Sequence, residues 1–445
     1  MKINYRAIYL SIESILLYLA KSGFLKNAAK LVGATALSQI VLILASLVLT
    51  RIYTPKDFGV LAIFTSLTIQ MLVCASLRYE WAIPLPQEEE VATDLLVLCL
   101  ILNCAIAPLV AIFVILGGHQ IAVAVNSPAL EPFLWLLPIV ILLGGWYQSL
   151  SYWTLRKKEF GLLARTKLAQ SVWTTGSQIA IGFTTQGPLG LLVGSVLNNV
   201  VGTISQALFF WHHSRTELQN LSVSRLVLIS RRYFKFAMLT LVSSVIQASG
   251  STAPSLLLAF FYDPKAAGFF ALAQRVNSIP TMLVGTSISQ VFQAHAAESI
   301  RKDPRELKRL FTRTSLLLFV SSLFLSLGLL SSPYFFPIIF GDAWKESGIM
   351  VQYMSPMFVG SMTIGPLTLL EWVEKQDWMI LWNTIRLILL GLGFWLAHFN
   401  NLSSIMAIAI LSIITTIMYV VLLIMNIYAI NLLIVGQSHQ VLADE

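Results

Sequence analysis

The chain has 445 residues, of which 57% are hydrophobic and 11% charged, whereas soluble globular domains carry roughly 25% charged residues. That deficit leaves too little polar surface to face water and excludes a soluble enzyme or binding module; the mean hydropathy of +0.78 agrees. The net charge of +8 is accounted for by topology, as argued below, and calls for no nucleic-acid partner.

In chain order, Lys2 and Arg6 precede an apolar stretch that Glu13, Lys21 and Lys26 interrupt, with no small-residue cleavage site after it. Residues 1–26 therefore read as an amphipathic helix lying on the membrane, not as a removed signal. Apolar runs about long enough to cross a ~30 Å hydrocarbon core then follow. The first six are Leu31–Arg51, Gly59–Leu77, Leu95–Leu116, Phe133–Leu155, Leu162–Phe183 and Leu189–Trp211. A basic stretch intervenes, and the next six are Phe236–Phe261, Gly268–Gln293, Phe311–Leu330, Gly348–Leu370, Trp378–Ala397 and Leu402–Leu433. The expected fold is all-α: a polytopic membrane protein of about twelve spans, with six-helix bundles at 27–213 and 236–445 joined by a cytoplasmic linker at 214–235.

Lysines and arginines crowd the cytoplasmic loops of membrane proteins. Here they fall mainly at the amino terminus and in every second loop, the richest being Arg156–Lys167, Arg215–Lys235 and Arg301–Arg313, while the opposite side holds only Arg51, Lys56, Lys265 and Lys345. Both termini are thus expected in the cytoplasm, with Arg275 and Arg386 left inside spans.

An internal repeat organises the spans. Tyr53, Pro55, Lys56, Gly59 and Ala62 recur as Tyr262, Pro264, Lys265, Gly268 and Ala271, at a constant offset of 209. A second register pairs Pro138 with Pro356 and Lys157 with Lys375. Six crossings per copy make the two copies parallel, related by an axis along the membrane normal. Each Tyr-x-Pro-Lys-x-x-Gly reads as a tight hairpin, since proline ends the helix before it and glycine permits close packing where the next begins.

Polar residues at helical spacing inside a span point either to a cavity or to a helix contact. Span seven carries Thr240, Ser243, Ser244, Gln247, Gly250, Ser251 and Pro254; span eight carries Gln274, Asn277, Ser278, Thr281, Gly285, Ser289 and Gln293, with Arg275 beside the stripe. Span two has Ser66, Gln70, Cys74 and Arg78, and span one the weaker series Ser38, Gln39, Ser46 and Thr50. Facing one another, these four helices would enclose a polar cleft. Arg275 lies seven residues past Gly268, about 10 Å along the axis, at a depth costing roughly 2.5–3.5 kcal/mol on insertion scales. Two readings stand for it: it binds an anionic substrate group, a diphosphate matching its fork, or it reaches outward or to backbone carbonyls. Arg386 reads as structural and Arg78 as the ion-pair partner of Glu80. The only acids near span interiors are Glu80 and Glu371, both at inner ends. Cys74, Cys99 and Cys104 lie in apolar runs without metal-ligand spacing. No DxD pair, HExxH, GxSxG or P-loop is present, so neither an enzyme nor a cofactor is expected.

The segments LTRIYTPKDFGVLAIF (Leu49–Phe64), LRYEWAIPLPQEEEVATDLL (Leu77–Leu96) and FGDAWKESGIMVQYMSP (Phe340–Pro356) with Pro366 resemble the polysaccharide transporters of the multidrug/oligosaccharidyl-lipid/polysaccharide flippase superfamily, the Wzx-like O-antigen and capsule flippases. The resemblance covers nearly the whole chain beyond the amino-terminal extension, which it does not explain. It implies a MATE-like fold in a bacterial inner membrane, and movement of a polyprenyl-diphosphate-linked oligosaccharide between leaflets by alternating access. It also implies membrane lipids, a polysaccharide polymerase and chain-length proteins as partners. On that reading Arg275 holds the diphosphate, Gln247, Gln274, Asn277 and Gln70 line the sugar path, and Arg78 and Gln39 complete the substrate contacts, while Pro254, Pro280, Gly285, Pro356 and Gly365 supply bends. A drug/cation antiporter would need a membrane carboxylate in span one or seven, and a glycan polymerase a large catalytic loop; neither is present.

Overall fold

The computed structural model describes residues 23–214, 222–281, 304–370, 373 and 375–444, together with Gly285, Ile288, Ser289, Phe292, His295, Ala296 and Ser299. Expectations for residues 1–22, Gln293, Arg301, Lys302 and Glu371 lie outside the described residues. The first half comprises α1 (Gly23–Ile52), α2 (Pro55–Leu72), α3 (Glu89–Ala124), α4 (Leu136–Arg156), α5 (Phe160–Gly182) and α6 (Leu189–Ser214). The second comprises α7 (Val223–Phe261), α8 (Pro264–Pro280, with helical positions beyond it), α9 (Pro304–Leu330), the short α10 (Ser332–Phe340), α11 (Lys345–Ile364), α12 (Gln376–Phe399) and α13 (Ser404–Asp444). No strand occurs among the described residues.

Seven helices, α1, α3, α6, α7, α9, α12 and α13, are long and apolar enough to cross a membrane by length and composition alone. The other expected spans, α2, α4, α5, α8 and α11, bury polar groups such as Gln170, Gln178, Asn277 and Ser355 against neighbouring helices. Shielded in this way, they need less hydrocarbon than a lipid-facing helix.

The repeat motif sets the local structure at one end of the molecule. Thr54 caps α2 through a capping box with Asp57, and the equivalent Asp263 caps α8 by accepting from the Ala266 amide at 2.6 Å. Pro55 and Pro264 occupy the first helical turns, where the missing amide hydrogen costs nothing. Tyr53 is buried and donates to the Gln178 carbonyl oxygen at 2.6 Å, tying the α1–α2 turn to α5.

At the opposite, basic end the second half begins earlier than the hydropathy suggests. Ser222 caps α7 by accepting from the Arg225 amide, so residues 223–235, expected as linker, are helical. One of their basic side chains finds acids: Arg225 lies 2.7 Å from Asp94 and 3.2 Å from Glu90 of α3. Tyr79 donates to the Ser230 carbonyl at 2.9 Å, and Ile229 and Ala237 join Leu95, Leu96, Trp153 and Phe210 in one apolar core. The first turns of α7 are therefore packed into the first half, while its last turns pack with α8 and α12 in the second.

The loop between α2 and α3 is wrapped around one arginine. Arg156 of α4 donates to the carbonyls of Ile83, Pro86, Gln87 and Glu88 and pairs with Glu89 at 3.1 Å, while Lys157 also contacts Glu89. The run Glu88–Glu90 thus includes a structural anion that closes the loop onto α4.

Candidate functional site

Two places in the fold have the geometry of function: a seal between the halves at the Tyr-x-Pro-Lys end, and a cavity beyond it beside α8.

At the seal, α2 and α8 approach until their backbones touch. A Cβ on Gly59 would stand 1.7 Å from the Pro264 oxygen, and one on Gly268 would stand 1.8 Å from the Pro55 oxygen. Equivalent residues of the two repeats thus meet reciprocally, as a two-fold relation requires, and only glycine permits it. Two further contacts obey the same symmetry. Helices leave their last carbonyls without intrahelical donors. Trp344, just before α11, donates its indole Nε1–H to the Thr50 oxygen at 2.9 Å, and Asn126, after α3, donates to the oxygens of Ala259 and Phe260 at 3.2 and 2.8 Å. Thr50 and Ala259 stand 209 positions apart, so each half caps the helix end of the other at the same place. Phe58 and Phe269 both meet the Trp344 ring edge-on, at 4.8 and 6.2 Å. The motif is therefore a contact between halves as well as a turn.

The cavity, of about 490 Å3, is bounded by Gln274, Asn277, Ser278, Thr281, Gly285 and Ser289 on the α8 side and by Met354, Met357, Ser361, Gly365 and Pro366 on the α11 side. Six of the seven residues of the expected span-eight stripe line it, and the seventh, Gln293, lies outside the described residues. No charged side chain is in its wall among the described residues.

The other expected site residues are placed elsewhere. Arg275 is half-buried and absent from the cavity wall. Successive helical positions turn by about 100°, so Arg275, seven residues from Gly268, projects from the face that meets α2. No ion pair or side-chain hydrogen bond of Arg275 occurs among the described residues. Gln247 is exposed and Gln39 and Gln70 are partly buried, none of them in the cavity wall; the Gln70 Oε1 is buried without a hydrogen-bond partner. Arg78 is held in a turn: it has φ 64°, pairs with the fully buried Glu80 at 3.1 Å, and lies over the Trp81 ring. Glu80 also accepts from Ser76.

The span-one stripe is a packing face. Ser38, Ser46 and Thr50 are buried and donate to carbonyls three or four residues back in their own helix, and α1 packs on α5. Most of the span-seven hydroxyls, Thr240, Ser243 and Ser251, bond within α7 in the same way. Gly250 opens into the second bundle, where a Cβ would stand 2.5 Å from a guanidinium nitrogen of Arg386, itself stacked 4.7 Å from the Trp382 ring centre. Nothing in the sequence marks the α11 wall of the cavity as a site: Met354, Met357 and Ser361 repeat at three- and four-residue steps, but methionine at that spacing reads as core.

A family model described as a polysaccharide biosynthesis protein matches residues 48–348. The chain belongs to that family. No protein of curated function matches it. Among solved structures, this family member is similar to a multidrug resistance MATE family transporter of the MOP superfamily in an inward-facing conformation. The TM-score is 0.63 at 14% identity, over 89% of this chain and 95% of the other. It is also similar to a transporter of that description in an outward-facing conformation, with TM-score 0.52 and 15% identity over 93% and 98% of the two chains. A MOP superfamily transporter from Pyrococcus furiosus, whose binding pocket is described as reversed in polarity, gives TM-score 0.51 and 14% identity over 93% and 98%. At such identities the likeness establishes the fold, which is MATE-like, and the family member is a multi-pass membrane protein.

Proposed function

We propose that the protein is a flippase that carries a polyprenyl-diphosphate-linked oligosaccharide from the cytoplasmic to the outer leaflet of a bacterial inner membrane, by alternating access of its two bundles, for surface polysaccharide synthesis. The reading is carried by one observation above the family match: a cavity of neutral hydrogen-bonding groups on α8, with an arginine on the same helix that has no counter-ion among the described residues. A permanently charged guanidinium at that depth favours a phosphate-bearing ligand, and hydroxyl and amide groups favour sugar. The Tyr-x-Pro-Lys end, poor in basic residues, is the outer side on this reading, and both termini are cytoplasmic. The seal there closes the outer exit and leaves loading from within.

Membrane lipids and, through the shared substrate, a polysaccharide polymerase and chain-length proteins are the partners this role implies. A cation-coupled drug antiporter is the second reading, favoured by the MATE transporters of similar fold. Exporters of cations place carboxylates in the membrane, whereas α1 and α7 contain no aspartate or glutamate at all.

Replacing Arg275 with alanine is expected to abolish surface glycan while protein levels in the membrane stay unchanged, and lysine at this position should restore part of it. Surface glycan at the wild-type level in Arg275→Ala would overturn the assignment.

A further inference from the structure

We infer that the cavity between α8 and α11 is a subsite for an uncharged sugar and discriminates against acidic ones; this rests on the flippase reading and names the class of glycan it takes. Three observations carry it. Asn277 is 6% exposed, lines the cavity, and its Oδ1 is buried without a hydrogen-bond partner. That oxygen is shut off from the cavity by its burial, so Asn277 brings a neutral amide and no charge to the wall.

The second observation is the direction of the neighbouring hydroxyls. Ser278 gives its proton to the Arg275 carbonyl at 2.8 Å and Ser361 gives its proton to the Phe358 carbonyl at 3.0 Å. What both present to the cavity is oxygen lone pairs. With the Gln274 side-chain amide, which both donates and accepts, the wall suits the hydroxyls of a pyranose. Neither of the two serine hydroxyls has a proton left to give a carboxylate or sulfate, which can only accept.

The third is the absence of any cation among the described residues of the wall, with Met354, Met357 and Pro366 supplying apolar surface for the C–H face of a sugar ring. At about 490 Å3, within the ~300–1,000 Å3 range of small-ligand sites, the space suits a mono- or disaccharide and is too small for a long repeat unit. An acidic sugar brought here would be desolvated without a counter-charge. Arg275 does not rescue it, because it projects from another face of α8.

The test uses the full chain reconstituted in liposomes, with two polyprenyl-diphosphate disaccharides that differ only in the terminal residue, a neutral hexose or the matching hexuronic acid. Translocation of the neutral compound is expected to exceed that of the uronate by about tenfold or more. Ser361→Arg, which puts a cation into the wall, should narrow the gap by raising the uronate rate, while Ser361→Ala should leave it. Equal wild-type rates, or a faster uronate, would overturn the subsite and leave the flippase reading intact. Failure of the active-site-intact wild type to move either compound would overturn both.

Discussion

The reciprocal glycine contact permits a quantitative perturbation. In Gly268→Ala the new methyl would lie 1.8 Å from the Pro55 oxygen, 2.8 Å from the Gly59 nitrogen and 2.9 Å from the Pro55 carbonyl carbon. All three are backbone atoms, and none can rotate away as the end of a flexible side chain could. The α2 and α8 amino termini must therefore part by more than an ångström, which breaks the seal before it disturbs either bundle. Overpacking of this kind costs about 1–3 kcal/mol. Converted at about 1.4 kcal/mol per tenfold, the sealed state loses a factor of about 5 to 150 against the open one. The assay is a distance distribution between spin labels on cysteines at Lys56 and Lys265, both exposed and equivalent in the repeat. Native Cys74, Cys99 and Cys104 are first replaced, because all are free thiols. Gly268→Ala should move population to longer distances, and adding Gly59→Ala should contribute much less than it does alone, since the halves are already apart. An unchanged distribution in Gly268→Ala would refute the role given to the seal.

Three other outcomes follow from the same geometry. Trp344→Phe keeps the ring contacts with Phe58 and Phe269 but removes the cap on Thr50, so it should weaken the seal by about 1 kcal/mol, read by the same labels. Asn126→Ala removes the symmetric cap on Ala259 and Phe260 and should act to a similar extent; hydrogen exchange at the end of α7 would detect it. At the basic end, burial raises the Glu89 carboxyl, but the side chains of Lys157 and Arg156 outweigh it and hold the group below its ordinary value of 4.5. Its contribution is therefore present above the unfolded value and lost as pH falls through the lower folded one. Amide exchange over residues 83–89 should rise below about pH 4.5 in the wild type, and Glu89→Gln should exchange fast at all pH values.

The repeat is the most legible feature of the sequence, since Tyr, Pro, Lys and Gly recur at fixed spacing and mark the same turn twice. That Gly59 and Gly268 meet each other could not be read in the same way, because the offset gives equivalence and not contact. The span-eight stripe lines a cavity, but with α11 across from it and not with spans one, two and seven, and the similar stripe on α1 is a packing face; serine bonded to its own helix and serine turned to a cavity look alike in one dimension. The residues 223–235 read as linker because Arg225, Arg231 and Arg232 lower their hydropathy. Arg225 is paired with Asp94 and Glu90, more than a hundred positions away, a contact that hydropathy along the chain does not show. Arg275 was visible by its depth, but its face on α8 separates it from Asn277, so the anionic and neutral parts of the proposed substrate have different neighbours.

The most direct test of the flippase role is the lipid-linked glycan pool of cells lacking this protein. Accumulation of polyprenyl-diphosphate oligosaccharide in the cytoplasmic leaflet, with loss of surface polysaccharide restored by the wild-type chain, is the expected result. An unaltered lipid-linked pool together with normal surface polysaccharide would contradict it.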